Sequence, residues 1–111
     1  MYQYKATLLN VVDGDTIDMD VDMGFSVRIK QRLRLLGIDT PELNSKDPVE
    51  REKALQAKQF VLDTLKIGGT YVIDTYKDDK YGRLLAVIYL NKSIDSTLNN
   101  LLVSSGLARV Y

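Results

Sequence analysis

Across residues 17–35 apolar and charged side chains alternate with period two. Ile17, Met19, Val21 and Met23 are interleaved with Asp18, Asp20 and Asp22, and Val27, Ile29, Leu33 and Leu35 with Arg28, Lys30, Arg32 and Arg34. Successive residues of a β-strand point to opposite sides, so this pattern specifies strands with one buried face. Both charged rows occupy even positions, and directly opposed residues of an antiparallel pair share a face, so partner numbers must sum to an even value. The register that follows has a three-residue loop, Gly24-Phe25-Ser26, with Met23 opposite Val27, Asp22 opposite Arg28, Asp20 opposite Lys30 and Asp18 opposite Arg32. Exposed ion pairs across it are worth only ~0–1 kcal/mol each, so they set register more than stability. Continued inward, the same register puts Asp15 opposite Leu35. Asp15 and Arg34 then lie on opposite faces of an ideal ladder unless a bulge or splayed end re-aims one of them, or the register slips. The run Asp18-x-Asp20-x-Asp22 has the opening spacing of a helix-flanked calcium loop, but Met23 stands at its glycine position and Ile29 at its bidentate glutamate position. These acids therefore read as a solvated strand face.

The remaining elements follow from local signals. Residues 4–12 form another strand that ends at the turn formers Asp13-Gly14-Asp15. Asp47-Pro48-Val49-Glu50 starts a helix with a capping acid, proline at the first helical position and an acid in the first turn. Ala54, Ala57, Val61 and Leu65 continue it at three- and four-residue spacing until Gly68-Gly69, a helix of about 18 residues. Residues 71–76 and 84–90 read as a hairpin around the polar segment 77–83. After a turn at Asn91-Lys92, Leu98, Leu101 and Leu102 mark a shorter helix capped by Asp95 or Ser96 and closed by Gly106. The order is βββαββα, a mainly β chain with helices (α+β). Five strands, with a helix between the third and fourth and no repeat or linker, predict one domain over residues 1–111: a closed five-stranded barrel of the oligonucleotide-binding kind (OB-fold), with an open α+β sheet as the alternative.

Composition limits what such a barrel could do. The 111 residues include no His and no Cys, which excludes imidazole bases, catalytic triads, thiolate nucleophiles and zinc ribbons. Catalysis must rest on carboxylates, Arg, Lys, Tyr, Ser or Thr, with any metal a hard cation taking oxygen ligands. No apolar run approaches the roughly 20 residues of a membrane span, and Met1-Tyr2-Gln3-Tyr4-Lys5 lacks an apolar signal core. The expectation is a chain without an export or anchoring device, cytoplasmic as written or a processed exported domain. Fifteen basic and fifteen acidic residues give a formal net charge of zero, which argues against a generic polyanion binder, although the charges are segregated along the chain.

Three segments carry polar residues that a core does not require: Asp13-Gly14-Asp15-Thr16, Arg34-Leu35-Leu36-Gly37-Ile38-Asp39-Thr40-Pro41-Glu42 and Asp79-Lys80-Tyr81-Gly82-Arg83. Each alone could be an ordinary turn or a solvated loop. Together they supply what phosphodiester hydrolysis needs without imidazole. Two aspartates can hold a hard cation, a glutamate can orient or deprotonate water, and two arginines can grip a phosphate and neutralise charge building on it. Arginine suits the planar, bidentate match to phosphate better than lysine does.

With Ser105-Gly106-Leu107-Ala108-Arg109-Val110 added, these segments resemble, in order and approximate spacing, the staphylococcal nuclease (thermonuclease) family, from about Leu8 to Tyr111. That resemblance implies a calcium-dependent endo- and exonuclease of DNA and RNA, preferring single strands, cutting on the 5′ side of the phosphodiester and leaving 3′-phosphates. By match, Asp15 and Asp39 would be calcium carboxylates and Thr40 would add its main-chain carbonyl. Glu42 would act on the attacking water, Arg34 would hold the phosphate and Arg83 would stabilise the transition state and leaving group. Lys80 and Tyr81 fall where the family contacts a terminal phosphate and the nucleotide, and Asp13 would support the turn. The chain departs from the family in three ways: a longer hairpin between Asp15 and Arg34, a neutral rather than basic balance, and no third helix beyond Val110, where the family places base-flanking tyrosines and only Tyr111 remains. The expected assembly is a monomer with no membrane partner. The competing reading is a catalytically inert OB-fold module that binds single-stranded nucleic acid or a protein partner through aromatics such as Tyr76, Tyr81 and Tyr89.

Overall fold

The computed structural model describes residues 2–77, 84–90 and 96–111. Among the described residues, seven strands and two helices follow in the order β1 (Tyr2–Asp13), β2 (Thr16–Asp22), β3 (Arg28–Leu35), β4 (Ile38–Asp39), α1 (Pro48–Thr64), β5 (Thr70–Lys77), β6 (Leu84–Tyr89), α2 (Leu98–Ser104) and β7 (Arg109–Val110). Five of the strands close into a barrel in the order β1-β2-β3-β6-β5, with β5 returning to β1. The closing pair β3-β6 is parallel, with Leu33 opposite Leu84 and Leu35 opposite Ala86. The open-sheet alternative is thereby excluded. Beside the barrel, β4 and β7 form a separate two-stranded ladder that the sequence pattern did not announce.

The β2-β3 register is the expected one: Asp22 faces Arg28, Asp20 faces Lys30 and Asp18 faces Arg32. Met23 N–H donates to Val27 O at 2.9 Å across the loop Gly24-Phe25-Ser26, whose three residues have φ of 79°, 53° and 61°. Arg32 pairs with Asp18 directly at 2.8 Å, whereas Arg28 reaches diagonally to Asp20 at 3.0 Å. The apolar row, in contrast, is buried only in part. Ile17, Met19, Val21, Leu33 and Leu35 fill the barrel, but Met23, Val27 and Ile29 are exposed and Phe25 at the tip is fully so. Among the described residues, the tip of this hairpin is not covered: Met23 and Ile29 line an open groove instead of the core.

Inside the barrel these side chains meet Ala6, Leu8, Ile73, Ala86 and Ile88. Helix α1 closes the core with the expected Ala54, Ala57, Val61 and Leu65, all fully buried. It begins at Asp47, whose carboxylate accepts from Val49 N–H at 3.0 Å. Helix α2 is capped by Thr97, which accepts from Asn100 N–H at 3.1 Å, and not by Ser96, whose carbonyl instead accepts from Leu90 N–H and continues the ladder from β6. Asp95, the other expected cap, and the expected turn at Asn91-Lys92 lie outside the described residues. Gly106 (φ 75°) ends α2 as expected, its N–H donating to Val103 O while Leu107 N–H donates to Leu102 O, the paired bonds of a Schellman stop. Buried Asn99 ties α2 to the barrel, donating to Leu36 O at 2.9 Å and Ala86 O at 3.0 Å and accepting from Ile88 N–H at 3.2 Å. Among the described residues, no helix is long and apolar enough to cross a membrane.

Candidate active site

The site forms where the β1-β2 turn, the end of β3 and strand β4 meet. Register continues to Thr16 opposite Arg34, and Leu35 N–H donates to Asp15 O at 2.8 Å, so the ladder does not slip. Asp15 escapes the alternation because it sits in the turn between β1 and β2, next to an irregularity between Val11 and Asp13. Strand alternation ends there, and its carboxylate swings to the same side as Arg34. Gly14 allows the turn to lie this close: a Cβ on it would stand 2.7 Å from Ala57 Cβ and 3.1 Å from Thr40 Oγ1.

Asp15 is buried and accepts from Thr40 N–H at 3.2 Å, from the Thr16 hydroxyl at 3.0 Å and from Arg34 Nη2 at 3.4 Å. The same Arg34 nitrogen donates to Asp39 Oδ1 at 3.1 Å, and Nη1 donates to Ile38 O at 3.1 Å. Asp39 Oδ2 is held from the other side by Arg109, through Nη2 at 2.9 Å and Nε at 3.3 Å. The Arg34 guanidinium carbon lies over the Tyr111 ring, 5.3 Å from its centroid. Four of the expected site residues, Asp15, Arg34, Asp39 and Thr40, therefore share one network.

Glu42 stands apart from it. It is exposed and lines a cleft of about 420 Å³ with Asp39, Thr40, Glu50, Lys53 and Arg109. Lys80, Tyr81 and Arg83 lie outside the described residues. The sequence does not mark Arg109 or the β4-β7 ladder as parts of the site: two-residue strands leave no periodicity to read, and Arg109 is only one residue of a motif.

The electrostatics separate the two turn aspartates. Burial, joined by the neighbouring Asp15 carboxylate, pushes Asp13 up to about 6. Burial works against ionised Asp15 as well, but hydrogen bonds from Asp13, Thr40 N–H and the Thr16 hydroxyl, together with the Arg34 charge, outweigh it and hold Asp15 below the usual range. Between the two, Asp13 holds its proton to higher pH, while Asp15 ionises first.

Among the described residues the groups here that could hold a cation are oxygens: the Asp15 and Asp39 carboxylates and, beside them, the buried Thr40 Oγ1, which has no hydrogen-bond partner among the described residues. That set suits a hard cation such as calcium. Among the described residues no group of three or more acidic side chains gathers, so main-chain oxygens and water would have to complete such a shell. A second groove, of about 350 Å³ and largely apolar, lies at the far end of the barrel between Tyr2, Tyr4, Met23, Ile29 and Tyr76.

Known proteins are similar to this sequence. An uncharacterised protein of Methanocaldococcus jannaschii is 33% identical over 97% of the chain, and thermonucleases of Staphylococcus hyicus and Staphylococcus intermedius are 34% and 35% identical over 92% and 89% of it. The chain spans 59%, 56% and 55% of those three proteins, a little over half of each. A sequence model of the family described as "Staphylococcal nuclease homologue" matches residues 32–111, from the middle of β3 through the β4-β7 ladder. With the closed OB-fold barrel, this establishes that the chain belongs to the staphylococcal nuclease homologue family.

Proposed function

We propose that this domain, residues 1–111 as a single unit, is a calcium-dependent nuclease. It hydrolyses phosphodiester bonds of DNA and RNA, prefers single strands, cuts on the 5′ side and leaves 3′-phosphates. The observation that carries the reading is the shared network of Asp15, Asp39, Thr40 and Arg34, in which one guanidinium nitrogen bridges two carboxylates. Membership of a family that includes thermonucleases supports it.

Asp15, Asp39 and the Thr40 carbonyl would hold calcium, which when bound supplies positive charge to the phosphoryl oxygens. Arg34 turns its N–H groups from the carboxylates to the phosphate, exchanging one anion for another while Nη1 keeps its bond to Ile38 O. Asp39 stays paired throughout, because Arg109 holds its other oxygen. Glu42, at the open cleft, takes the proton from water as the water oxygen bonds to phosphorus. The bond from phosphorus to the 5′ oxygen breaks, and that oxygen leaves with a proton from solvent while Arg83 offsets its charge. Lys80 and Tyr81 contact the terminal phosphate and nucleotide.

Glu42→Gln tests the assignment of roles. It should lower turnover of a single-stranded oligonucleotide by about 100-fold or more while leaving oligonucleotide affinity near the wild-type value, because the loss falls on the transition state. An unchanged rate would remove Glu42 from the mechanism.

A further inference from the structure

We propose that Tyr111 is a positioning residue for Arg34, an aromatic shelf that fixes the plane of the guanidinium presented to phosphate. The proposal rests on the reading of Arg34 as the phosphate grip. Among the described residues, the hydrogen bonds of Arg34 other than that to Ile38 O go to Asp15 and Asp39, and those are the contacts that must be surrendered when phosphate arrives. A guanidinium left with one hydrogen bond can rotate about its side-chain torsions. The guanidinium carbon lies over the Tyr111 ring, 5.3 Å from its centroid, a contact separate from the hydrogen bonds to Ile38, Asp15 and Asp39 and so not surrendered with them. Arginine stacks face to face with aromatic rings, and the attraction strengthens where the cation is withdrawn from water; the Arg34 side chain is only 14% exposed.

The ring is itself held in place. Tyr111 N–H donates to Gly37 O at 2.9 Å, and the β4-β7 ladder sets Val110 opposite Ile38 and Arg109 opposite Asp39. Ile38 is the residue whose carbonyl Arg34 grips, and Asp39 the one whose carboxylate it grips. One two-residue segment thus indexes both the arginine and the strand that carries its shelf. Tyr111 is 75% exposed, so its ring adds little to the core and can be changed without unfolding the chain.

Tyr111→Phe and Tyr111→Leu in the full chain test this with inorganic phosphate as the probe, in EDTA so that no turnover occurs. Phosphate affinity should fall about two- to five-fold in Tyr111→Leu and stay at the wild-type value in Tyr111→Phe, with thermal midpoints equal in all three proteins. In ¹H–¹⁵N spectra, the Arg34 side-chain N–H should carry a ring-current shift in the wild type and Tyr111→Phe that Tyr111→Leu lacks. Equal phosphate affinity in Tyr111→Leu would overturn the proposal. So would a loss seen only with a nucleoside monophosphate and not with phosphate, which would make the ring a base platform. If the wild type binds no phosphate, the phosphate role of Arg34 fails, and the ring-current shift still decides separately whether Tyr111 holds the guanidinium.

Discussion

Asp13 and Asp15 are two residues apart and their pKa values are shifted in opposite directions, and the folded state feels both. The Asp13 carboxyl is raised from 3.8 to about 6, so between those values the folded chain binds a proton that the unfolded chain has released. Its contribution to stability is fully present below 3.8 and is lost as pH rises through about 6. Asp15 is lowered, so its contribution is present above the ordinary carboxylate range and is lost as pH falls through its folded value. Asp13→Asn imitates the protonated acid. In EDTA, urea melts of this variant should lose the decline in stability between pH 4 and 6 that the wild type shows, leaving the variant more stable at pH 7.5. Parallel pH profiles for the two proteins would mean that Asp13 does not hold the proton. Gly14 belongs to the same corner: its turn packs so tightly on Ala57 and Thr40 that any side chain there must displace one of them.

At the scale of elements, what was legible in the sequence is what has a period or a punctuation mark. The β2-β3 register followed from the parity of its charged rows, and α1 from Asp47-Pro48 and the spacing of Ala54, Ala57, Val61 and Leu65. The site was legible only as far as residue types allowed. Asp15 looked misplaced against Arg34 because strict alternation was carried into a turn, where it no longer applies. Exposure of Met23, Val27 and Ile29 was hidden for a related reason: period two says which side a residue faces, not whether the barrel is long enough to cover it. Strands β4 and β7 are too short for any period, and their ladder exists only because α2 delivers Arg109 to Asp39. Asn99 secures that delivery with three bonds to main-chain groups of the β3 end and β6. Asn99→Ala leaves buried donors and acceptors unpaired and should cost about 2–3 kcal/mol in chemical unfolding. A change below a few tenths would show that α2 is held by Leu98 and Leu102 alone.

For the molecule as a whole, a net charge of zero bears on how the proposed substrate would be held. The cation row of β3 is largely matched by its own acids: Arg32 is engaged with Asp18 and Arg28 with Asp20 and Asp22. Among the described residues, little unmatched charge is left there to track a strand, so under the proposed mechanism phosphate neutralisation would fall to Arg34, Arg83 and Lys80. Three such contacts to a single strand predict a slope of about −2 for log affinity against log salt, measured in EDTA. A slope two or three times steeper would reveal a basic track outside these three residues. The central claim is that a site made of carboxylates, arginines and an oxygen-bound cation cuts phosphodiesters without imidazole or thiolate. Its most direct test is cleavage of a defined single-stranded DNA by the pure protein, with calcium or with EDTA, followed by analysis of the product ends. The account predicts cleavage with calcium only, yielding 3′-phosphates; no calcium-dependent cleavage from neutral to alkaline pH would contradict it.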